Sequence, residues 1–370
     1  MTPARKFEIF ATAPPGLELV LKDEIAARGF AKPRAMPGGV RFRGGWPDVW
    51  RANLVLRGAG RVLARVAQFQ AVHLDQLEAN AQEVDWPALL RPGWPVTVEA
   101  TCRKSKIYHQ GAAAERVARA IHTRTGAPEG GETAIRVRIR IEGNQCTLSL
   151  DSSGELLHRR GYKQAVGKAP MRETLAALFL RACGYDGAEP VLDPMCGSGT
   201  FVIEAAEIAA GLHPGRGRHF DFEKFATFDP AAFAALRTDT AHPTDLRFYG
   251  SDRDAGAIEG AIANAGRAGV GGLCRFAHQA IGELQRPDGP DGLVIINPPY
   301  GGRIGDRKQL FGLYDRLGTV LADRFAGWRV GLITTDAALT RATGLPFAPP
   351  GAPVAHGGLK VRLWQTAPLP

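Results

Sequence analysis

Apolar residues recur at two different periods along this chain, and the switches between them mark out its elements. Residues 6–11 alternate as a strand, Pro14-Pro15-Gly16 turns the chain, and Leu17, Val20, Leu21 and Ile25 recur at helical spacing to about Arg28. Val40-Arg41-Phe42-Arg43 alternates as a second strand, a helix follows over 46–53, and a strand over 59–69. Such a mixture predicts a small α+β, ferredoxin-like unit. From Trp94 to Leu150 the order is strand (96–101), basic loop (Arg103-Lys104-Ser105-Lys106), helix (111–125) and two strands, 134–142 and 145–151, joined through Gly143-Asn144.

Beyond Arg172 helix and strand alternate: 172–182, 191–193, 200–210, 246–251, 255–268, 293–296, 310–324, 329–334 and a closing strand 359–365. This alternation predicts an α/β fold, a doubly wound and mainly parallel sheet that binds ligands at the carboxyl ends of its strands. Asp193, Asp252 and Asn297 all fall at such ends. Residues 211–244, rich in Gly, Pro, Phe and His, exceed an ordinary connection and read as an insertion.

With 370 residues, 45% of them hydrophobic, the chain exceeds one usual domain and can bury a full core. No run approaches the ~18 apolar residues of a membrane span, and the N-terminus lacks a signal-peptide pattern, so a cytoplasmic location is expected. The five cysteines, odd in number and scattered, suggest neither a zinc site nor a disulfide framework. Charge divides the chain more sharply than composition does. Residues 1–170 hold 26 Lys and Arg against 16 Asp and Glu, whereas residues 171–370 hold 20 against 21. A basic module beside a near-neutral one suits polyanion binding attached to catalysis. Within the basic half, Arg136, Arg138 and Arg140 alternate with Ile135, Val137, Ile139 and Ile141, which predicts an exposed cationic sheet face. That face is either simply solvated or, with the loop Arg103, Lys104 and Lys106, a set of phosphate contacts.

Two motifs carry chemistry. In Asp193-Pro194-Met195-Cys196-Gly197-Ser198-Gly199-Thr200, a strand end runs into a glycine-rich turn and a helix. Gly197 and Gly199 would let backbone approach a ligand closely, and the Asp193 carboxylate would repel a pyrophosphate but attract an ammonium. No lysine precedes Thr200, and Val202 and Ile203 break the dinucleotide spacing, which leaves S-adenosylmethionine (SAM) as the expected cofactor. Asp252 is placed for the ribose hydroxyls, whereas Asp254 suits a helix cap. Gln279, in Phe276-Ala277-His278-Gln279-Ala280, stands where an adenine contact is expected, with His278 at the surface. The second motif is Asn297-Pro298-Pro299-Tyr300. Its prolines stiffen the loop, the Asn297 side-chain oxygen and the Pro298 carbonyl can accept the N–H bonds of an exocyclic amino group, and Tyr300 offers a stacking face. These groups suit an sp2-linked amino nitrogen without separating adenine N6, cytosine N4, guanine N2 or a glutamine amide.

The stretch from Leu150 through Asp151-Ser152-Ser153-Gly154 to His158-Arg159-Arg160-Gly161-Tyr162 resembles the end of a THUMP domain and its link to a catalytic domain, and Lys168-Ala169-Pro170-Met171-Arg172 resembles the opening of that domain. The whole chain resembles the THUMP-domain methyltransferases that include the guanine-N2-methylating half of the rRNA enzyme RlmL and related tRNA enzymes. The resemblance implies an RNA-binding module over 1–155 (ferredoxin-like to about 60, THUMP about 40–155), a basic link over 156–170 containing Arg159 and Arg160, and a SAM-dependent Rossmann-like domain over 171–370. It carries over Asp193, Gly197, Gly199, Asp252 and Asn297 to Tyr300, with Gly301 and with Arg303, which either engages nucleic acid or pairs with Asp306. The implied activity is methylation of guanosine N2 in RNA, with 23S rRNA favoured over tRNA. An amino-methylating DNA enzyme and a non-catalytic RNA-binding assembly protein are the rival expectations.

Overall fold

The computed structural model describes residues 6–164, 171–238, 241–300 and 307–370, and the chain divides into two compact units, each built on one seven-stranded sheet. The first unit takes residues up to 12, 22–157 and 218–238; the second takes 13–21, 158–217 and 239–370.

The chain opens with β1 (Phe7–Thr12), α1 (Glu18–Ala27, which straddles the division), β2 (Ala31–Met36), β3 (Gly39–Gly44), α2 (Trp46–Val55) and β4 (Val62–Gln70). The antiparallel order β2-β3-β1-β4 is the expected ferredoxin-like arrangement. β2 has no apolar alternation to betray it. It is an edge strand containing Pro33, with Lys32 at φ +51° and a register shift between Ala31 and Arg34. α3 (Leu74–Gln82) is equally faint in the sequence because only Leu77 and Ala81 are buried on it. β5 (Val96–Arg103), α4 (Gln110–Thr125), β6 (Ile135–Glu142) and β7 (Gln145–Asp151) extend the sheet to β2-β3-β1-β4-β7-β6-β5. The β6–β7 hairpin turns through Gly143 (φ +55°) and Asn144 (φ +66°), the paired left-handed conformation of a tight two-residue loop.

The second unit starts its sheet with α5 (Glu173–Ala182), β8 (Val191–Asp193) and α6 (Thr200–Ala209). The expected insertion is mostly exposed or half-buried but anchors itself through a few buried phenylalanines. Its residues 218–238 belong to the first unit, where Phe220, Phe222, Phe228 and Phe233 pack on one another and on Trp50, and α7 (Pro230–Leu236) is capped by Asp229. Returning to the second unit, the chain forms β9 (Phe248–Asp252), α8 (Ala255–Arg267), β10 (Cys274–His278), β11 (Leu293–Ile296), α9 (Arg307–Arg324), β12 (Arg329–Thr334), α10 (Ala337–Ala342), β13 (Val354–His356) and β14 (Leu359–Gln365). The sheet order is β10-β9-β8-β11-β12-β14-β13, parallel from β10 to β12 and antiparallel at β14, which makes the expected doubly wound fold. All four residues of β11 are buried, as suits a central parallel strand covered on both faces. Among the described residues no helix is long and apolar enough to cross a membrane.

Candidate active site

Strand order reverses at β8, whose two neighbours are β9 and β11, so the crevice beyond its carboxyl end is the topological switch point. Pairing of Asp193 with Gly250 and of Leu192 with Val294 fixes the levels of the three strands. On that register Asp252 and Asn297 each extend two residues beyond the level of Asp193. At about 3.3 Å per residue and about 4.8 Å per strand, the result is a notch about 6–7 Å deep and about 10 Å across, floored by Asp193.

The glycine turn fills the back of this notch. Cys196 N donates to Ser251 O (2.9 Å), Gly199 N to Cys196 O (2.8 Å), and the buried Asn264 side chain donates to Ser198 O (3.1 Å). Asn264, which the sequence pattern did not single out, also accepts from Gln164 N (3.3 Å) and from Arg267, so the turn is tied to α8. Gly197 and Gly199 both have positive φ, +51° and +78°. Their reasons differ from the expectation that both clear space for a ligand. A Cβ on Gly197 would meet nothing within 4 Å, so this edge of the turn is open to close approach, whereas a Cβ on Gly199 would lie 3.1 Å from Ala261 and 3.2 Å from Phe276. Gly199 therefore permits packing of the turn against α8 and β10. Ser198 and Thr200 are buried, with Thr200 Oγ1 donating to Met171 O (3.5 Å); Met195 is half-buried against the core and Cys196 is buried.

Asp193 is 2% exposed and accepts from Met195 N (3.0 Å). Burial raises its pKa to about 8, with the nearby Asp252 adding to the rise and the Met195 amide opposing it. Because the folded pKa lies above the unfolded one, this group favours folding most at low pH, and that contribution is lost as pH climbs from about 4 to about 8. Asp193→Asn is accordingly expected to melt above the parent protein at about pH 9 and to lose the advantage towards about pH 4. Thermal scans at the two pH values check this, and a lower melting temperature at the alkaline end would contradict it.

Asp252 Oδ2 accepts from Gly197 N (3.0 Å) and its Oδ1 from Asp254 N (3.0 Å). Each oxygen keeps a lone pair for a ligand hydroxyl. Asp254 caps α8, accepting from Gly256 N (2.9 Å) and Ala257 N (3.3 Å). Gln279 follows the last residue of β10, and its N–H donates to Asp252 O (3.0 Å), which sets its half-buried side chain at the rim beside Asp252. His278 is exposed and bonds Arg253 O (3.0 Å).

On the other wall, Asn297 Oδ1 is buried and has no hydrogen-bond partner among the described residues. Such an acceptor carries a desolvation cost of about 1–3 kcal/mol unless something donates to it. Pro298 is buried, Pro299 and Tyr300 are half-buried, and Tyr300 packs on the cluster that contains Val294 and Ile296. Burial pushes the Tyr300 hydroxyl up to about 12. The turn is held from behind by a residue the sequence pattern missed: Tyr314, fully buried on α9, donates to Pro299 O (3.3 Å) and bonds Thr334 Oγ1 (3.2 Å). Only its helical spacing was legible, since a tyrosine on an apolar helix face reads as ordinary core. Tyr314→Phe is expected to lower kcat about three- to tenfold with SAM affinity unchanged, the scale of one neutral hydrogen bond. Equal turnover in the two proteins would remove Tyr314 from the support of the turn. Gly301, Arg303 and Asp306 lie outside the described residues, as does Lys168.

The expected cationic surface needs two corrections. Arg136, Arg138 and Arg140 do share a face, but it is not an open row of cations. Arg136 and Arg138 bridge Glu99 (2.9 and 2.8 Å), Arg138 and Arg61 both reach the buried Asp151 (3.1 and 2.7 Å), and Arg140 pairs with Glu142 (2.7 Å). Arg160 is not a surface contact at all. Its side chain is 2% exposed and binds the carboxylates of Glu204 and Glu207, both fully buried on α6. Arg159 is exposed, as are Arg103 at the end of β5 and Lys104 and Lys106 in the loop that follows.

A family model for the RMKL-like methyltransferase domain matches residues 160–347, and a model for the RlmL ferredoxin-like domain matches residues 8–63. The chain is 33% identical over 366 residues to slr0064 of Synechocystis, a protein named as an RNA methyltransferase, covering 96% of this chain and 95% of that one. The chain belongs to the RMKL-like methyltransferase family. Two solved structures show the same architecture over nearly their whole length. One, from Listeria monocytogenes and described as an N6-adenine-specific DNA methylase, is 31% identical with a TM-score of 0.89, covering 98% of this chain and 97% of that one. The other, SMU.472, a methyltransferase complexed with S-adenosylhomocysteine, is 28% identical with a TM-score of 0.87, covering 99% of each chain. Like its family, this RMKL-like methyltransferase depends on SAM, and the notch fits that cofactor: Gly197 leaves the turn open, and Asp252 retains acceptor capacity beside it. The groups available to hold SAM are Asp193 and the Met195–Thr200 turn at the floor, Asp252 and Gln279 at one wall, and Asn297 at the other.

Proposed function

We propose that this RMKL-like methyltransferase transfers the methyl group of SAM to the exocyclic N2 of a guanosine in RNA, with 23S rRNA as the favoured substrate and tRNA the second choice. The observation that carries the chemistry is the buried, unpartnered Oδ1 of Asn297 on the wall of the switch-point notch. An amino group on a planar base supplies the missing donor. Its second N–H goes to the Pro298 carbonyl, to which nothing donates among the described residues. With both N–H bonds directed into these acceptors, the nitrogen lone pair faces the notch floor. SAM, when bound, supplies the electrophilic methyl group. Tyr300 provides the stacking face, and with its hydroxyl pushed up to about 12 it stays protonated at neutral pH and does not act as a base. The proton shed after transfer leaves the alkylated nitrogen along the hydrogen bonds to Asn297 Oδ1 or the Pro298 carbonyl and passes to water. Asp193, mostly neutral at pH 7 before the cofactor arrives because its pKa stands at about 8, ionises as the cofactor's ammonium approaches and pairs with it, and Asp252 accepts from the ribose hydroxyls.

The RNA assignment is supported by the excess positive charge of residues 1–170 and by the name of the Synechocystis relative. Residues of about 40–155 are taken as the THUMP-like module that brings the RNA. The description of the Listeria protein favours a second reading, DNA adenine-N6 methylation, because the Asn297–Tyr300 acceptors do not choose between bases. Labelled SAM presented with rRNA, tRNA and DNA from cells lacking the gene separates the two. Label confined to 23S rRNA is expected; label in tRNA moves the target, and label in DNA alone overturns the RNA assignment.

A further inference from the structure

The loop after β5 combines features that the site chemistry does not use. Arg103, the last residue of β5, and Lys104 and Lys106 beyond it are exposed. The Glu142 pKa, lowered chiefly by Arg140, is lowered further by the nearby Arg103 and Lys104, but among the described residues none of the three forms a close ion pair, in contrast to the arginines of β6. Two residues on, Tyr108 is 81% exposed, the most exposed of the large hydrophobic side chains of the described structure. An aromatic ring held in water beside three cations gains nothing from folding, since its apolar area is not removed from solvent. The loop is nevertheless held in a defined shape. The side-chain oxygen of Asn144, itself at φ +66° in the β6–β7 turn, accepts from Ser105 Oγ (3.0 Å) and Lys106 N (2.9 Å). Lys104 is kept at φ +46°, a conformation that disfavours a side-chain-bearing residue, and Ile107 is anchored in the core at 4% exposure. A shaped loop that presents cations and one ring outwards, at a cost in backbone strain, matches the chemistry of an unpaired polynucleotide: phosphates for the cations and a base face for the ring.

We infer that the Arg103–Tyr108 loop is a binding site for an unpaired segment of RNA, in which Tyr108 stacks on one base and Arg103, Lys104 and Lys106 meet the flanking phosphates. The inference rests on the RNA reading proposed above and sharpens it: substrate docking runs through this loop, and the arginines of β6, already neutralised by Glu99, Asp151 and Glu142, contribute little. A duplex offers no free base face, so paired RNA is a poor ligand for this loop.

The test is fluorescence anisotropy of the full chain with a labelled single-stranded oligoribonucleotide and with the same strand in a duplex, over a series of salt concentrations. The single strand is expected to bind more tightly than the duplex. Tyr108→Ala should weaken it at least about fivefold, Tyr108→Phe should restore it, and Lys104→Ala should reduce the salt slope by about 0.7. SAM affinity and melting temperature should stay at their parent values in Tyr108→Ala, because the side chain is exposed. Unchanged single-strand affinity in Tyr108→Ala, or equal affinity for the duplex, would overturn the inference and leave RNA methylation standing. Methyl transfer by the parent protein to DNA and not to RNA would instead remove the RNA reading itself, whatever the loop binds.

Discussion

Asn297→Ala is expected to lower kcat for methyl transfer by about 100- to 1,000-fold, the scale of one preorganised hydrogen-bonding group in a water-poor site, while SAM affinity falls far less because Asn297 is one of several groups available to the cofactor. The size of the effect follows from the position of the atom. Oδ1 is already desolvated and unpartnered before substrate arrives, so the cost of removing water from it has been met in folding. The prolines on its C-terminal side and the Tyr314 bond to the Pro299 carbonyl keep the turn from relaxing. Alanine leaves the notch intact and removes only the acceptor. Stability should be unchanged or slightly raised, since an orphaned polar atom disappears. Calorimetric SAM titration beside single-turnover kinetics checks both halves, and a variant with parent turnover would show that Asn297 does not hold the amino group.

The second large effect is on stability. Arg160→Ala is expected to cost about 3–5 kcal/mol, because it removes the buried guanidinium that sits between Glu204 and Glu207, two fully buried carboxylates one turn apart on α6. At about 2–4 °C per kcal/mol, the melting temperature should fall by about 10 °C. The partial partner Arg216, bonded to Glu207 Oε1 at 2.6 Å and one-third exposed, does not replace the guanidinium between the two acids. Combining Arg160→Met with Glu204→Gln and Glu207→Gln removes charge from all three positions and should recover much of the loss. A variant Arg160→Ala with parent stability but weaker RNA binding would return this residue to the surface role that the sequence suggested.

That mistake shows where sequence pattern stops being informative. Arg159 and Arg160 look alike in a basic run, yet one is exposed and the other is buried, and only the position of α6 tells them apart. The alternation puts the arginines of β6 on one face, but it does not show that Arg136 and Arg138 meet Glu99 on β5 and that Arg138 shares Asp151 on β7 with Arg61, contacts with no local signal; only the Arg140–Glu142 pair lies within β6 itself. The parallel sheet and the strand-end positions of Asp193, Asp252 and Asn297 were legible because a buried central strand is an unbroken apolar run ending in a polar residue. The depth of the notch was not, since it depends on register between strands about fifty to a hundred residues apart. Asn264 and Tyr314 escaped notice for a related reason: each serves a loop distant in the chain, Ser198 in one case and Pro299 in the other, from an otherwise unremarked helix position.

The central claim is that the notch between Asp193, Asp252 and Asn297 methylates a guanosine amino group in RNA. The most direct measurement is nucleoside mass spectrometry of RNA from cells lacking the gene after incubation with SAM and either the parent protein or Asn297→Ala. The expected result is N2-methylguanosine formed by the parent protein and almost none by the variant. Methylation on adenine or cytosine, or N2-methylguanosine formed equally by both proteins, would contradict the account.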